Sequence, residues 1–100
     1  MEKTPIKITD KAAKEILYIL ENKNIPEGYG LRIGIRGGGC GAAGYFLGFD
    51  KQKEGDEAYQ IKGVKVYFEK KYFMYLLDVE LDFEERTEER GFVFNKGANA

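Results

Sequence analysis

The stretch YGLRIGIRGGGCGAAGYFLGFD, Tyr29 to Asp50, decides how the chain folds. Its first part alternates, with Leu31, Ile33 and Ile35 on one face and Arg32, Gly34 and Arg36 on the other. Successive side chains of a strand point to opposite faces, so this reads as a strand buried on one side. Tyr45 to Asp50, YFLGFD, also reads as extended. Between the two lies a glycine run that holds the single cysteine of the chain, Cys40. Gly39-Cys40-Gly41-Ala42-Ala43-Gly44 has the form G-x-G-x-x-G. That form binds dinucleotides where its glycines open a helix inside a βαβ unit. Here an aromatic, glycine-broken run follows and no βαβ unit surrounds it, so nucleotide binding is rejected. A phosphate loop fails too, because no Gly-Lys-Ser/Thr follows. Two readings of Cys40 remain. It is a small residue in a turn that needs glycine, or a thiolate displayed among bare backbone N–H groups. Such donors favour negative charge and suit a sulfur that binds iron.

Outward from this stretch, the pattern predicts a sheet structure with one substantial helix. Ile6 and Ile8 mark a short strand. Thr9 or Asp10 can cap a helix from about Asp10 to Lys23, with Ala13, Ile16, Leu17 and Leu20 as its apolar stripe and Pro26 and Gly28 ending it. AYQI and VKVYF form a hairpin about Lys62-Gly63, with Val64, Val66 and Phe68 inward. EKKYFMYLLD reads as a short second helix with Tyr72, Phe73, Leu76 and Leu77 toward the core. VELDFEE alternates with Val79, Leu81 and Phe83 inward, RTEERG is a polar turn, and GFVFN is the last strand. Strands at short spacing with a helix near the start indicate a compact, antiparallel-rich sheet fold. One hundred residues fit one domain, 1–100, with a loose tail from about residue 96.

Composition narrows the function. The chain is 43% apolar, enough for a core, and 33% charged, but the signs cancel to a net charge of -1. No broad basic field exists to drive nucleic-acid binding. No apolar run reaches the ~18–20 residues that cross a bilayer, and the first ten residues do not resemble a secretion signal. The expected compartment is the cytoplasm, and a single cysteine agrees with a reducing one. Histidine is absent. No Cys-His or Ser-His pair can therefore form, and a closed zinc site lacks ligands. These facts predict a protein that is not an enzyme.

The residues LRIGIRGGGCGAAGYFLGFD resemble the HesB/IscA family, the A-type iron–sulfur cluster carriers. ITDKAAKEI is similar to the family's helix start, GVKVYFEKKYFMYLLDVELDFEE to its central stretch, and GFVFNKGANA to its last segment. The similarity covers nearly the whole chain in one order. It implies a mainly β, compact barrel- or sandwich-like HesB-type domain of antiparallel and mixed strands, with an N-terminal α-helix and a short second helix. The departures are specific. The sequence reaches Ala100 without the family's Cys-x-Cys, Glu69 stands where Asp is usual, and Asp78 stands where Gly is usual.

The resemblance implies iron–sulfur cluster assembly or carriage, with Cys40 as ligand to iron or a [2Fe–2S] cluster and Gly38, Gly39 and Gly41 shaping the cofactor-binding loop. A cluster wants four ligands and one chain offers one thiolate. The implied site is weak and labile, lies across an oligomer interface such as a homodimer's, and serves assembly or client proteins. The alternative is a diverged HesB-fold interaction domain that no longer binds metal. A thiol redox sensor has less support, since the chain has no resolving cysteine.

Overall fold

In a computed structural model, which describes residues 5–37, 43–85 and 90–96, the alternation that begins at Tyr29 becomes a strand over Tyr29–Gly37. In chain order the elements are β1 (Ile6–Ile8), α1 (Asp10–Asn22), β2 (Tyr29–Gly37), β3 (Ala43–Lys51), β4 (Asp56–Ile61) and β5 (Val64–Glu69). A 3-10 turn (Lys70–Tyr72) then runs into α2 (Phe73–Leu76), followed by β6 (Val79–Glu85) and β7 (Arg90–Lys96). One sheet has the order β3-β2-β5-β4 and the other β1-β6-β7. The pairs β2–β5 and β1–β6 are parallel, and the rest are antiparallel. The expected mixture of strand directions in a mainly β fold is what forms.

The inward faces match the sequence pattern. Leu31, Ile33, Val64, Val66, Phe68, Val79, Leu81 and Phe83 all lie in one buried cluster with Ile6, Ile8, Ala12, Ala13 and Ile16. Helix α1 closes that cluster against β5 and β6. Thr9 caps it: the Thr9 hydroxyl accepts from the Ala12 N–H at 3.1 Å and donates to Asp82 Oδ1 at 2.7 Å. One side chain thus satisfies a free helix donor and ties the helix start to β6. That hydroxyl is also the main reason the Asp82 carboxyl titrates below its ordinary value, with the Phe83 N–H second.

Two details differ from the sequence reading, whereas the helix ends where expected, at Asn22 with Lys23 as its cap, ahead of Pro26 and Gly28. The Lys23 N–H closes the last turn on the Ile19 carbonyl at 3.0 Å, and Asn24 takes a left-handed φ of 57°. Asn tolerates that region, so it ends the helix without a proline. Strand β5 also buries one residue of its outer face: Tyr67 is 5% exposed although it points away from Val66. Its ring covers Gly30, where a Cβ would lie 2.9 Å from Tyr67 Cε2 and 2.7 Å from the Lys65 carbonyl. Leu77 is half-buried, whereas Tyr72 and Phe73 pack on the core and Leu76 is fully enclosed. The hairpin about Lys62-Gly63 forms as read, with φ of 51° and 83°, the two left-handed residues of a twist-matched tight turn. At the expected loose tail, Lys96 still pairs with Val79. Residues 97–100 and most of the RTEERG turn, 86–89, lie outside the described residues.

An ion cluster on the outer face of the larger sheet joins three strands. Arg32 Nε donates to Asp50 Oδ2 at 3.1 Å, Nη1 to Asp56 Oδ1 at 3.0 Å, and Nη2 to Asp56 Oδ2 and to the Lys51 carbonyl. Asp56 is 1% exposed and also accepts from the Lys53 N–H at 2.7 Å. The Arg32 guanidinium holds the Asp56 carboxyl below the ordinary carboxylate range. Asp50 is held down mainly by the Lys53 ammonium and the Lys51 N–H.

Asp56→Asn removes the charge and leaves the shape. It should cost about 1.5–3 kcal/mol at neutral pH, the range for hydrogen bonds to charged groups. A depressed carboxyl stabilises fully above its unfolded value, near pH ~4, and loses that contribution as pH falls through the folded value. The wild-type advantage over the variant in urea denaturation should therefore shrink below about pH 4. Asp78 has a left-handed φ of 65°, where the resemblance leads one to expect glycine. Asp78→Gly should raise stability by up to about 1 kcal/mol, and Asp78→Val should lower it by about 1–2 kcal/mol. Denaturant midpoints at one pH distinguish the two.

Candidate functional site

The hairpin β2–β3 carries the glycine run, and its register fixes where that run begins and ends. Nine cross-strand pairs extend from Tyr29↔Lys51 to Gly37↔Ala43. The run 38–42, with the expected ligand Cys40 and the expected loop glycines Gly38, Gly39 and Gly41, lies outside the described residues. What the structure provides is the platform on which that run stands.

On the inner face, Ile35 pairs with Tyr45. The Tyr45 ring stacks on Phe94 of β7 with centroids 5.3 Å apart, so it ties the hairpin to the second sheet. Its hydroxyl donates to the Tyr75 carbonyl in α2 at 3.3 Å. On the outer face, Gly34 pairs with Phe46. The far end of the Phe46 ring lies over this glycine and leaves no room for a Cβ. The Arg36 guanidinium lies 5.2 Å from the Phe46 centroid, within cation–π range. The platform is thus held on both faces by aromatic rings, and an exposed cation stands at its open end.

The tyrosine tie and the arginine stack were not read from sequence. A backbone carbonyl acceptor such as that of Tyr75 leaves no residue signature. The Gly34–Phe46 pair had one: glycine at an outer-face position opposite a large aromatic. Near the platform, Met74 and Tyr75 are 72% and 57% exposed while their neighbours Phe73 and Leu76 turn inward. Among the described residues, no group of three or more His, Cys, Asp or Glu side chains could hold a metal ion. A surface hollow lined by Lys7, Thr9, Asp10, Ile61, Lys62 and Glu80 shares no residue with the hairpin.

Comparison with known proteins agrees with this architecture. A family model described as iron-sulphur cluster biosynthesis matches residues 4–100. The iron-binding protein IscA of Xenorhabdus nematophila is 41% identical over 91 residues, which cover 90% of this chain and 83% of that one. Two solved structures share the fold. Escherichia coli SufA, involved in biosynthesis of iron–sulfur clusters, has a TM-score of 0.78 at 23% identity, covering 95% of this chain and 82% of its own. IscA with the [2Fe-2S] cluster has a TM-score of 0.70 at 20% identity, covering 92% and 82%. The HesB/IscA resemblance and the two-sheet fold with its N-terminal helix therefore stand on sequence and on structure. The chain belongs to the iron-sulphur cluster biosynthesis family.

Proposed function

We propose that this protein binds iron or a [2Fe–2S] cluster as transient cargo through Cys40 and passes it on, catalysing no reaction of its own. The observation that carries this reading is the match of the family model across the glycine run, with one cysteine at its centre. Family membership makes cluster chemistry the expected business of that thiolate. The ligand count sets its strength. One chain supplies one thiolate and no imidazole, so a four-ligand cluster needs donors from a small thiol, a carboxylate or a second protein chain. Cargo held in this way is labile, which suits transfer to assembly or client proteins better than storage. No helix of the described residues is long and apolar enough to cross a membrane, and a cytoplasmic setting is part of the proposal.

The single cysteine also favours a second reading, an interaction domain that keeps the family fold and holds no metal. Anaerobic incubation with ferrous iron, sulfide and a small thiol separates the two. The metal reading expects visible charge-transfer absorption in the wild type and its loss in Cys40→Ser, with the far-ultraviolet spectrum unchanged. Colourless wild-type protein under all such conditions, or equal colour in Cys40→Ser, would overturn it.

A further inference from the structure

The hairpin β2–β3 carries its charge unevenly. From Gly37 to Phe49 the sequence has no charged residue, with Arg36 before that stretch and Asp50 after it. Asp50 is met twice, by Arg32 Nε at 3.1 Å and by Lys53 Nζ at 3.0 Å. Arg36 is exposed and makes no ion pair among the described residues. Gly44, which pairs with Arg36, is six residues from Asp50 along β3, about 20 Å at about 3.4 Å per residue. The screening length at physiological salt is about 8 Å. The end of the hairpin from which the glycine run leaves therefore carries an unbalanced positive charge.

That charge is held in place. Gly34 leaves room for the Phe46 ring, and the ring in turn lies 5.2 Å from the Arg36 guanidinium carbon. Arg32, four residues earlier on the same face, satisfies its guanidinium with two carboxylates and a carbonyl. Arg36 has the aromatic support and no carboxylate. Across from it stands Gly44, where a Cβ would meet only the Arg36 carbonyl, at 4.0 Å. A guanidinium fork matches a carboxylate with two parallel hydrogen bonds. Beside this one lies a position without a side chain, which leaves space for a molecule a few atoms across.

We infer that Arg36 selects the molecule that meets Cys40, and that this molecule is a small thiol bearing a carboxylate. The inference rests on the proposed reading, in which the donors beyond one thiolate come from outside the chain. Cys40 follows Arg36 by four residues, and four residues of chain span at most about 14 Å. A carboxylate bound at Arg36 therefore delivers its own sulfur to the neighbourhood of the glycine run. A neutral thiol gains nothing from the guanidinium, and a cationic one is repelled. One cation beside one side-chain-free position has the charge and the room for one small carboxylate. Because Phe46 already supports the guanidinium, less side-chain freedom is lost when that carboxylate arrives.

Thiol–disulfide exchange tests the selection without any metal. The probes are the symmetrical disulfides of mercaptopropionate, mercaptoethanol and cysteamine, which share a two-carbon thiol and differ in carboxylate, hydroxyl or ammonium. The Cys40 thiolate attacks one probe sulfur, the probe's S–S bond breaks, and one probe thiolate leaves. Mass spectrometry follows the adduct, and Cys40 is the single cysteine of the chain. The rate ratio of the anionic to the neutral probe cancels any change in the thiolate fraction. That ratio should be at least about threefold higher in the wild type than in Arg36→Gln. The cationic probe should show the reverse. Lys65→Gln removes an exposed cation beside Gly30, at the far end of the same face, and should leave the ratio unchanged. Equal ratios in the wild type and Arg36→Gln would sink the inference. If Arg36→Gln fails to fold by circular dichroism, the wild type decides: its ratio must fall in about 1 M salt, where the screening length is about 3 Å, and a ratio indifferent to salt refutes the selection. Protein that stays colourless with iron and sulfide yet keeps its charge preference would remove the metal reading and leave this one.

Discussion

The parity of β2 is the constraint on which the rest of the structure depends. Its odd-numbered residues Leu31 and Ile33 are 0% and 1% exposed, and its even-numbered residues carry Arg32, the two glycines and Arg36. The strand is paired on both sides, antiparallel to β3 and parallel to β5. A slip of one residue would expose the core side chains and bury two guanidinium groups. Because the register with β3 runs unbroken to Gly37↔Ala43, the same parity fixes both ends of the glycine run.

The polar contacts reinforce that parity rather than compete with it. Arg32 reaches β3 through Asp50 and β4 through Asp56, although β5 lies between β2 and β4. The guanidinium fork can satisfy two carboxylates and a carbonyl at once, which a lysine could not do with fixed geometry. Almost wholly enclosed, Asp56 stays charged because its acceptors are met by Arg32 and the Lys53 N–H. Thr9 does similar work on the other sheet, where a single hydroxyl caps α1 and grips Asp82. Among the described residues, no buried side-chain nitrogen or oxygen lacks a partner.

Much of this was legible in the sequence, for a physical reason. Period-two alternation in Leu31–Ile35 and Val79–Phe83, and the helical spacing of Ala13, Ile16 and Leu17, are imprints of one-sided burial. Lys62-Gly63 was legible because a two-residue turn demands left-handed backbone. The helix end was legible to within a residue, although the residue that turns the chain just past it is Asn24, whose tolerance of positive φ is a quieter signal than proline or glycine. Tyr67 escaped because its burial on the outer face depends on Gly30, a contact between strands that no local pattern contains. At the candidate site, Cys40 stood out as a lone sulfur among glycines. The hold on the hairpin, from Tyr45 to Phe94 and Tyr75 and from Phe46 to Gly34, depends on packing and a carbonyl that only the folded chain brings together.

These pieces bear on how a single thiolate could be used, on the proposed reading. The four expected site residues sit in a short run whose ends are clamped by an unbroken register, an aromatic stack to β7 and a hydroxyl bond to α2. Glycine alone would make such a run costly to order. A fixed base lowers that cost, because the chain ends need not be brought together again when a ligand arrives. The donors missing from one chain must still come from outside it, and the clamped strands fix the two points between which the glycine run is held. In this protein the fold's contribution to iron–sulfur chemistry would therefore lie less in the number of ligands than in the rigidity of the strands that present one.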